Sequence, residues 1–191
     1  MYVHPFKPLI VSSTKRLLVG TLPPEGASFY FSNSTNTRLW DILIAIDSKS
    51  ERIGRGGNDL SEDQKTSLLE RLNLVICDII YGYERLDYGS TKDKDIIPLA
   101  YNDLLSLARE NGVKELLFVY QSALKWFIHS LEKESPVMLS RLKGQYNLGL
   151  QSVVSGNIKS IKCILLPSPL NRGRQGETLP FKISMYSKYI I

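Results

Sequence analysis

The segment Leu166-Pro167-Ser168-Pro169-Leu170-Asn171-Arg172-Gly173 closes an apolar run, Ile161 to Leu166, that reads as a buried strand. Two prolines stiffen the loop by fixing φ, and they remove two backbone donors. Leu170 behind them has no obvious core to enter, and Arg172 and Arg174 follow it with positive charge. A rigid loop that presents an apolar wedge beside cations suits insertion into stacked bases while the flanking phosphates are held. A plain strand-to-helix turn is the alternative reading of the same residues.

Near the other end of the chain, Leu17-Leu18-Val19-Gly20-Thr21-Leu22-Pro23-Pro24-Glu25-Gly26 runs from a short apolar strand into a Gly/Pro loop. Aromatics follow at Phe29-Tyr30-Phe31, then Asn33 and Asn36, then a helix beginning near Arg38 and carrying Trp40. Together the two loops resemble the uracil-DNA glycosylase superfamily, in which a Gly-x-x-Pro loop follows the first strand and a Pro-Ser-Pro-Leu type loop follows the last. The likeness is greatest to the branch that includes hypoxanthine-DNA glycosylase and, further off, the mismatch-specific enzymes. A third stretch, Asp78-Ile79-Ile80 with Glu84-Arg85, Ser90, Asp93 and Asp95-Ile96, looks like that branch's Asp, Arg, Gly-Ser and Asp-x-x-Ile pattern. The resemblance runs from about Leu17 to Arg174.

The resemblance implies a three-layer α/β/α sandwich with a four-stranded parallel sheet, ordered 2-1-3-4. It also implies a monofunctional glycosylase that flips a deaminated base, uracil or hypoxanthine, out of DNA and hydrolyses its N-glycosidic bond, with no cofactor. Gly20, Thr21, Leu22 and Pro23 then line the base pocket. Many relatives hold the attacking water with Asn, Asp or Gln inside this loop, where Leu22 stands here. Leu22 can neither accept a proton nor orient water. The hypoxanthine branch has an apolar residue there too and relies on a later Asn. Asn36 matches it, four residues before Trp40 instead of three, and Asn33 is the rival; either also suits a turn or an N-cap. An amide orients water without acting as a strong base. Tyr30 or Phe31 stacks on the base, or both are core aromatics. Gln121 reads the base edge by donor and acceptor together. Ser168 and Pro169 meet phosphate, Leu170 is the wedge, and Asn171 contacts the orphaned partner or caps the next helix. Asp78, Arg85 and Asp95 form a supporting salt-bridge network. A relative that binds DNA or nucleotides without catalysis is the second expectation, favoured by Leu22.

Charge agrees with a nucleic-acid partner. The net charge is +5, made of +3 over the first 55 residues, −5 over 56–134 and +7 over 135–191. Both positive ends hold a motif, as phosphate tracking requires. At 191 residues the chain predicts one domain spanning 1–191, expected as a monomer. No apolar run is long enough to span a bilayer, and no basic-then-apolar leader is recognised. Cys77 and Cys163 lie inside apolar runs, which predicts reduced core thiols of a cytoplasmic protein. Two cysteines cannot hold the four-cysteine iron–sulfur cluster of other superfamily branches. His4 and His129 are isolated, with no zinc spacing, and read as structural or surface residues. A phosphate-cradling nucleotide loop is a poor fit, because Pro23 and Pro24 lack N–H donors.

The elements that must position these loops alternate. Arg16–Gly20, Asn73–Ile80, Val113–Tyr120 and Ile161–Leu166 read as strands. Leu39–Ile46, a segment from Ser61 with a capping box at Gln64, Pro98–Glu110, Ser122–Leu131 and Pro180–Tyr189 read as helices. Ile53–Asn58, with its Gly56-Gly57 pair, reads as a mobile connection. Buried strands separated by helices predict a parallel sheet covered on both faces. Ligands of such sheets bind beyond the strands' carboxyl ends, where both motifs and the Tyr120-Gln121 junction fall.

Overall fold

The computed structural model describes residues 1–10, 15–31, 36–47, 57–87, 92–134, 154–158, 161–171 and 177–191. Asn33, Ser90, Arg172, Arg174 and the Ile53–Gly56 part of the expected mobile connection lie outside the described residues.

Alternation inside one strand sets the architecture. In β2 (Arg16–Gly20), Leu17 and Val19 point to one apolar cluster and Leu18 to another, because successive side chains leave opposite faces of a strand. β3 (Leu74–Asp78), β6 (Glu115–Phe118) and β8 (Ile161–Leu165) divide in the same way between the two clusters. Fully buried aliphatics of this kind contribute about 1.5–3 kcal/mol each.

Helices α3 (Leu104–Glu110) and α4 (Gln121–Glu134) cover one face with Leu104, Leu105, Ala108, Leu124 and Phe127. Helices α1 (Leu39–Ile46), α2 (Glu62–Arg71) and α5 (Leu179–Ile190) cover the other with Leu39, Trp40, Leu69, Tyr186 and Ile190. The result is the expected α/β/α sandwich. β3, β2, β6 and β8 lie side by side and parallel, the 2-1-3-4 order. A fifth strand, β7 (Val154–Ile158), pairs antiparallel with the β8 edge. The α2 start is the capping box read from sequence: Gln64 N donates to Ser61 Oγ at 3.2 Å, and Ser61 N donates to Gln64 Oε1 at 2.9 Å.

A second sheet was not foreseen. β1 (Tyr2–Val3), β4 (Ile80–Arg85) and β5 (Ile96–Tyr101) form an antiparallel ribbon beside the main sheet. It overturns the expected helix from Pro98, since only Leu104–Glu110 is helical, started by Asp103 accepting from Ser106 N at 2.9 Å. Pro98 sits on the ribbon's outer strand, where a missing N–H costs no ladder bond. Gly57, the described glycine of the Gly56-Gly57 pair, is buried against α1: a Cβ there would come within 2.5 Å of Trp40 Cβ. Among the described residues no helix is long and apolar enough to cross a membrane.

Candidate active site

All four parallel strands end at the same edge of the sheet, and the chain is tightly packed at Gly20. A Cβ on Gly20 would stand 2.1 Å from Asp78 Oδ1 and 2.6 Å from Phe31 Cζ, so no larger residue fits. The strand pairing runs on past β2, with Ile79 N donating to Gly20 O at 3.0 Å and Ile80 N to Thr21 O at 3.4 Å. Thr21 and Pro23 are thereby buried, and the Arg85 guanidinium donates to the Pro23 carbonyl at 3.4 Å. Leu22 turns away and packs against the cluster shared with β3, β6 and α4. Its apolar character serves that packing.

Both candidate stacking aromatics are buried in one apolar cluster and differ in their neighbours. Tyr30 belongs to the core: its hydroxyl donates to Lys7 O at 3.0 Å, and its ring stacks on His4 at 5.7 Å. Phe31 faces the sheet edge, beside Gly20 and 6.0 Å from the Tyr120 ring. Its φ of +54° lies in the left-handed region, which is costly for a bulky L-residue and is held only where the surroundings dictate it.

The two motifs are joined by backbone. Asn171 N donates to Asn36 O at 2.6 Å and Arg38 N to Pro169 O at 2.7 Å, and Thr37 bridges Leu170. The Pro167–Leu170 loop is also tied from behind by α5. The Tyr186 hydroxyl donates to Pro167 O at 2.9 Å, and Lys182 Nζ donates to Leu170 O at 2.6 Å. Ser168 Oγ accepts from Leu170 N at 3.4 Å, tightening the turn from within. Leu170 is half-buried, whereas Asn36 and Asn171 are exposed.

Behind Gly20 and Phe31 lies a buried polar cluster. Asp78 is buried and pairs with His4, whose Nε2 donates to Asp78 Oδ2 at 3.0 Å, and Asn102 donates to the Asp78 carbonyl at 2.8 Å. Asp93, half-buried, accepts hydrogen bonds from the hydroxyls of Ser122 at the start of α4 and of Thr21. The Tyr120 phenol hydrogen-bonds Thr37.

Burial pushes the Asp93 carboxyl above its ordinary value. The Ser122 and Thr21 hydroxyls pull it back, Asp78 adds to the rise and Arg85 opposes it. Burial likewise raises Asp78 against the pull of His4, and raises Tyr120 so that its phenol stays protonated at neutral pH. The strand edge therefore holds packed aromatics near carboxyl groups that burial makes stronger bases than surface ones.

Of the residues expected from sequence, Gly20, Thr21, Phe31, Asn36, Ser168, Pro169, Leu170 and Asn171 fall along this edge. Gln121 begins α4 next to Tyr120, half-buried. Tyr30 and Leu22 serve the core. The Asp78 side chain hydrogen-bonds His4, 74 residues away, and Arg85 lies over the Tyr83 ring at 5.4 Å while its charge also acts on Asp93. Sequence reading passed over Thr37, Tyr120, Ser122 and His4 as site residues, and gave Asp93 no chemical role. Its one available signal was a carboxylate three residues before Ile96 in an otherwise loop-like stretch.

No protein-family model matches the chain, and no curated protein matches it either. Among solved structures, the fold is similar to the solution NMR structure of a protein described as a putative uracil DNA glycosylase from Methanosarcina acetivorans. The TM-score is 0.62 at 17% identity, over 98% of this chain and 95% of that one. It is a likeness of fold.

Proposed function

We propose that the chain is a DNA glycosylase that flips a deaminated base, uracil or hypoxanthine, into the pocket at Gly20 and hydrolyses its N-glycosidic bond. The observation that carries this reading is the joining of the Gly20 loop to the Pro-Ser-Pro-Leu loop through Asn36, Thr37 and Arg38. It sets a half-buried apolar side chain on a stiffened turn at the strand edge that carries Gly20 and Phe31. Flipping requires both parts: something to fill the gap in the stack and somewhere for the extruded base to go.

Each part has a role in this scheme. Leu170 enters the duplex, with Ser168, Pro169 and Asn171 against the backbone and Arg172 and Arg174 on neighbouring phosphates. Phe31 stacks on the base, Thr21 and Pro23 enclose it, and Gln121 reads its edge. Asn36, with Asn33 as the rival, orients water at the sugar. The reaction gains most from groups already arranged for an oxocarbenium-like centre and a departing anion.

One assay tests the reading: duplex oligonucleotides carrying uracil, hypoxanthine, xanthine or thymine opposite each partner, incubated with the protein and treated with alkali to cleave abasic sites. Strand cleavage at uracil or hypoxanthine is expected, and no cleavage at any of the four refutes it. The packing of Leu22 into the core, where relatives place a water-holding group, favours a second reading: a DNA-binding relative without catalysis. That reading predicts binding to the same duplexes with no cleavage.

A further inference from the structure

We propose that Asp93 is a catalytic carboxylate that faces the sugar of the flipped nucleotide, taking a proton from the attacking water and stabilising positive charge at C1′. This rests on the glycosylase reading and adds to it the charged group that an amide such as Asn36 does not supply.

The placement argues for it. Asp93 opens a short 3-10 turn that feeds β5, and it is met by hydroxyls from two other segments: Thr21, next to Gly20, and Ser122, in the first turn of α4. A carboxylate has about four acceptor positions. Two hydroxyl donors fix its plane and leave acceptor capacity for a water. The carboxylate is hydrogen-bonded by Thr21, the residue that follows Gly20, whereas the next residue, Leu22, packs on the core. Asp78, the other carboxylate of the cluster, is fully committed by burial and by His4. Asp93 is half-buried, so the residue keeps some contact with solvent.

The proposed step balances. The C1′–N bond breaks and its electron pair leaves with the base. A water oxygen bonds to C1′, one water proton passes to Asp93, and Asp93 returns it to the departing base. The products are the neutral base and the 1′-hydroxyl abasic sugar. A carboxylate whose basicity is raised by burial is a better acceptor for that proton, and general-base groups of this kind are worth about 10²–10⁴ in rate.

The test compares two duplexes that carry abasic analogues, one a cationic pyrrolidine and one a neutral tetrahydrofuran. Wild type should bind the cationic duplex at least ~10-fold more tightly, as an analogue of the charged transition state. Asp93→Asn should reduce that ratio to about 1 while affinity for the neutral analogue stays within about 2-fold, and single-turnover excision should fall by about 10² or more. Asp93→Ser is held to the same criteria should the Asn variant not fold.

Wild type alone gives an independent reading. Its preference for the cation should disappear as pH falls through the raised Asp93 titration, with Asp78, Arg85 and Tyr120 the ionisable groups facing it. A ratio unchanged by pH and by both substitutions, or full excision in Asp93→Asn, overturns the role of Asp93 and leaves the glycosylase reading standing. Wild type binding neither analogue more tightly than undamaged duplex overturns both. An Asp93-dependent preference without excision of any of the four bases overturns the glycosylase reading and with it a catalytic role for Asp93.

Discussion

Replacing Tyr186 with Phe removes one oxygen and keeps a ring that is fully buried on the inner face of α5. That oxygen donates to the Pro167 carbonyl at 2.9 Å, in a loop residue that is itself buried. Pro167 cannot turn its carbonyl to water without moving Pro169 and Leu170, because proline holds φ on both sides of Ser168. Leaving a buried acceptor without its donor costs about 1–3 kcal/mol. For a chain of this size each kcal/mol lowers Tm by roughly 2–4 °C. Tyr186→Phe should therefore lower Tm by roughly 2–12 °C, read by circular dichroism and checked for two-state behaviour by calorimetry.

Lys182 stands four residues earlier on the same helix face and holds the Leu170 carbonyl at 2.6 Å. Lys182→Met loses a charge-assisted bond but frees a buried ammonium whose pKa burial already lowers, so its net cost should be smaller, about 1 kcal/mol. Because both side chains grip one stiff turn, releasing either should loosen the other. The double variant should lose less than the sum of the singles by about 0.5 kcal/mol or more. A Tyr186→Phe protein that melts within 1 °C of wild type would refute the strut, as would strictly additive losses.

Other perturbations probe other links. Gly20→Ala forces a methyl to within 2.1 Å of Asp78 Oδ1 and 2.6 Å of Phe31 Cζ; a loss of about 1–3 kcal/mol by thermal unfolding is expected, with excision reduced. Leu170→Ala should slow single-turnover excision strongly on well-paired duplex and little on single strands, since only the former must be unstacked; equal losses remove the wedge role. Arg172→Ala or Arg174→Ala should weaken binding for all sequences alike and lower the log–log salt slope by about 1, measured by fluorescence anisotropy between low and moderate salt. The pH–rate profile should fall on the acid side at a higher pH than an ordinary aspartate gives. The reactive form is ionised, burial raises its pKa, and protonation removes it sooner as pH drops. A flat acid limb would assign the water to an amide.

The sandwich was legible because its signals are local. Four short apolar runs, each too uniform to be amphipathic, can be buried only between two helical layers, and parallel order puts their exits at one edge. The antiparallel ribbon was not. Ile80–Arg85 carries Gly82 and two charges, and Ile96–Tyr101 carries Pro98, residues that argue against a strand until an outer position and a bulge near Gly82 accommodate them.

The polar half of the site was illegible for a different reason. Thr21, Thr37, Asp78, Asp93, Tyr120, Ser122 and His4 come from different strands, turns and helices, and beyond the Asp78–Asp93 pattern no spacing links them. Asp78 and His4 are 74 residues apart, and an isolated histidine announces nothing until the fold brings it to a carboxylate at 3.0 Å. Leu22 shows the same limit from the opposite side. Its sequence position says that a reactive group is missing, while its packing says that this position belongs to the core. Asp93 accepts a hydrogen bond from Thr21, the residue beside Leu22, so the proposed role puts a half-buried carboxylate next to the position where Leu22 offers no proton acceptor.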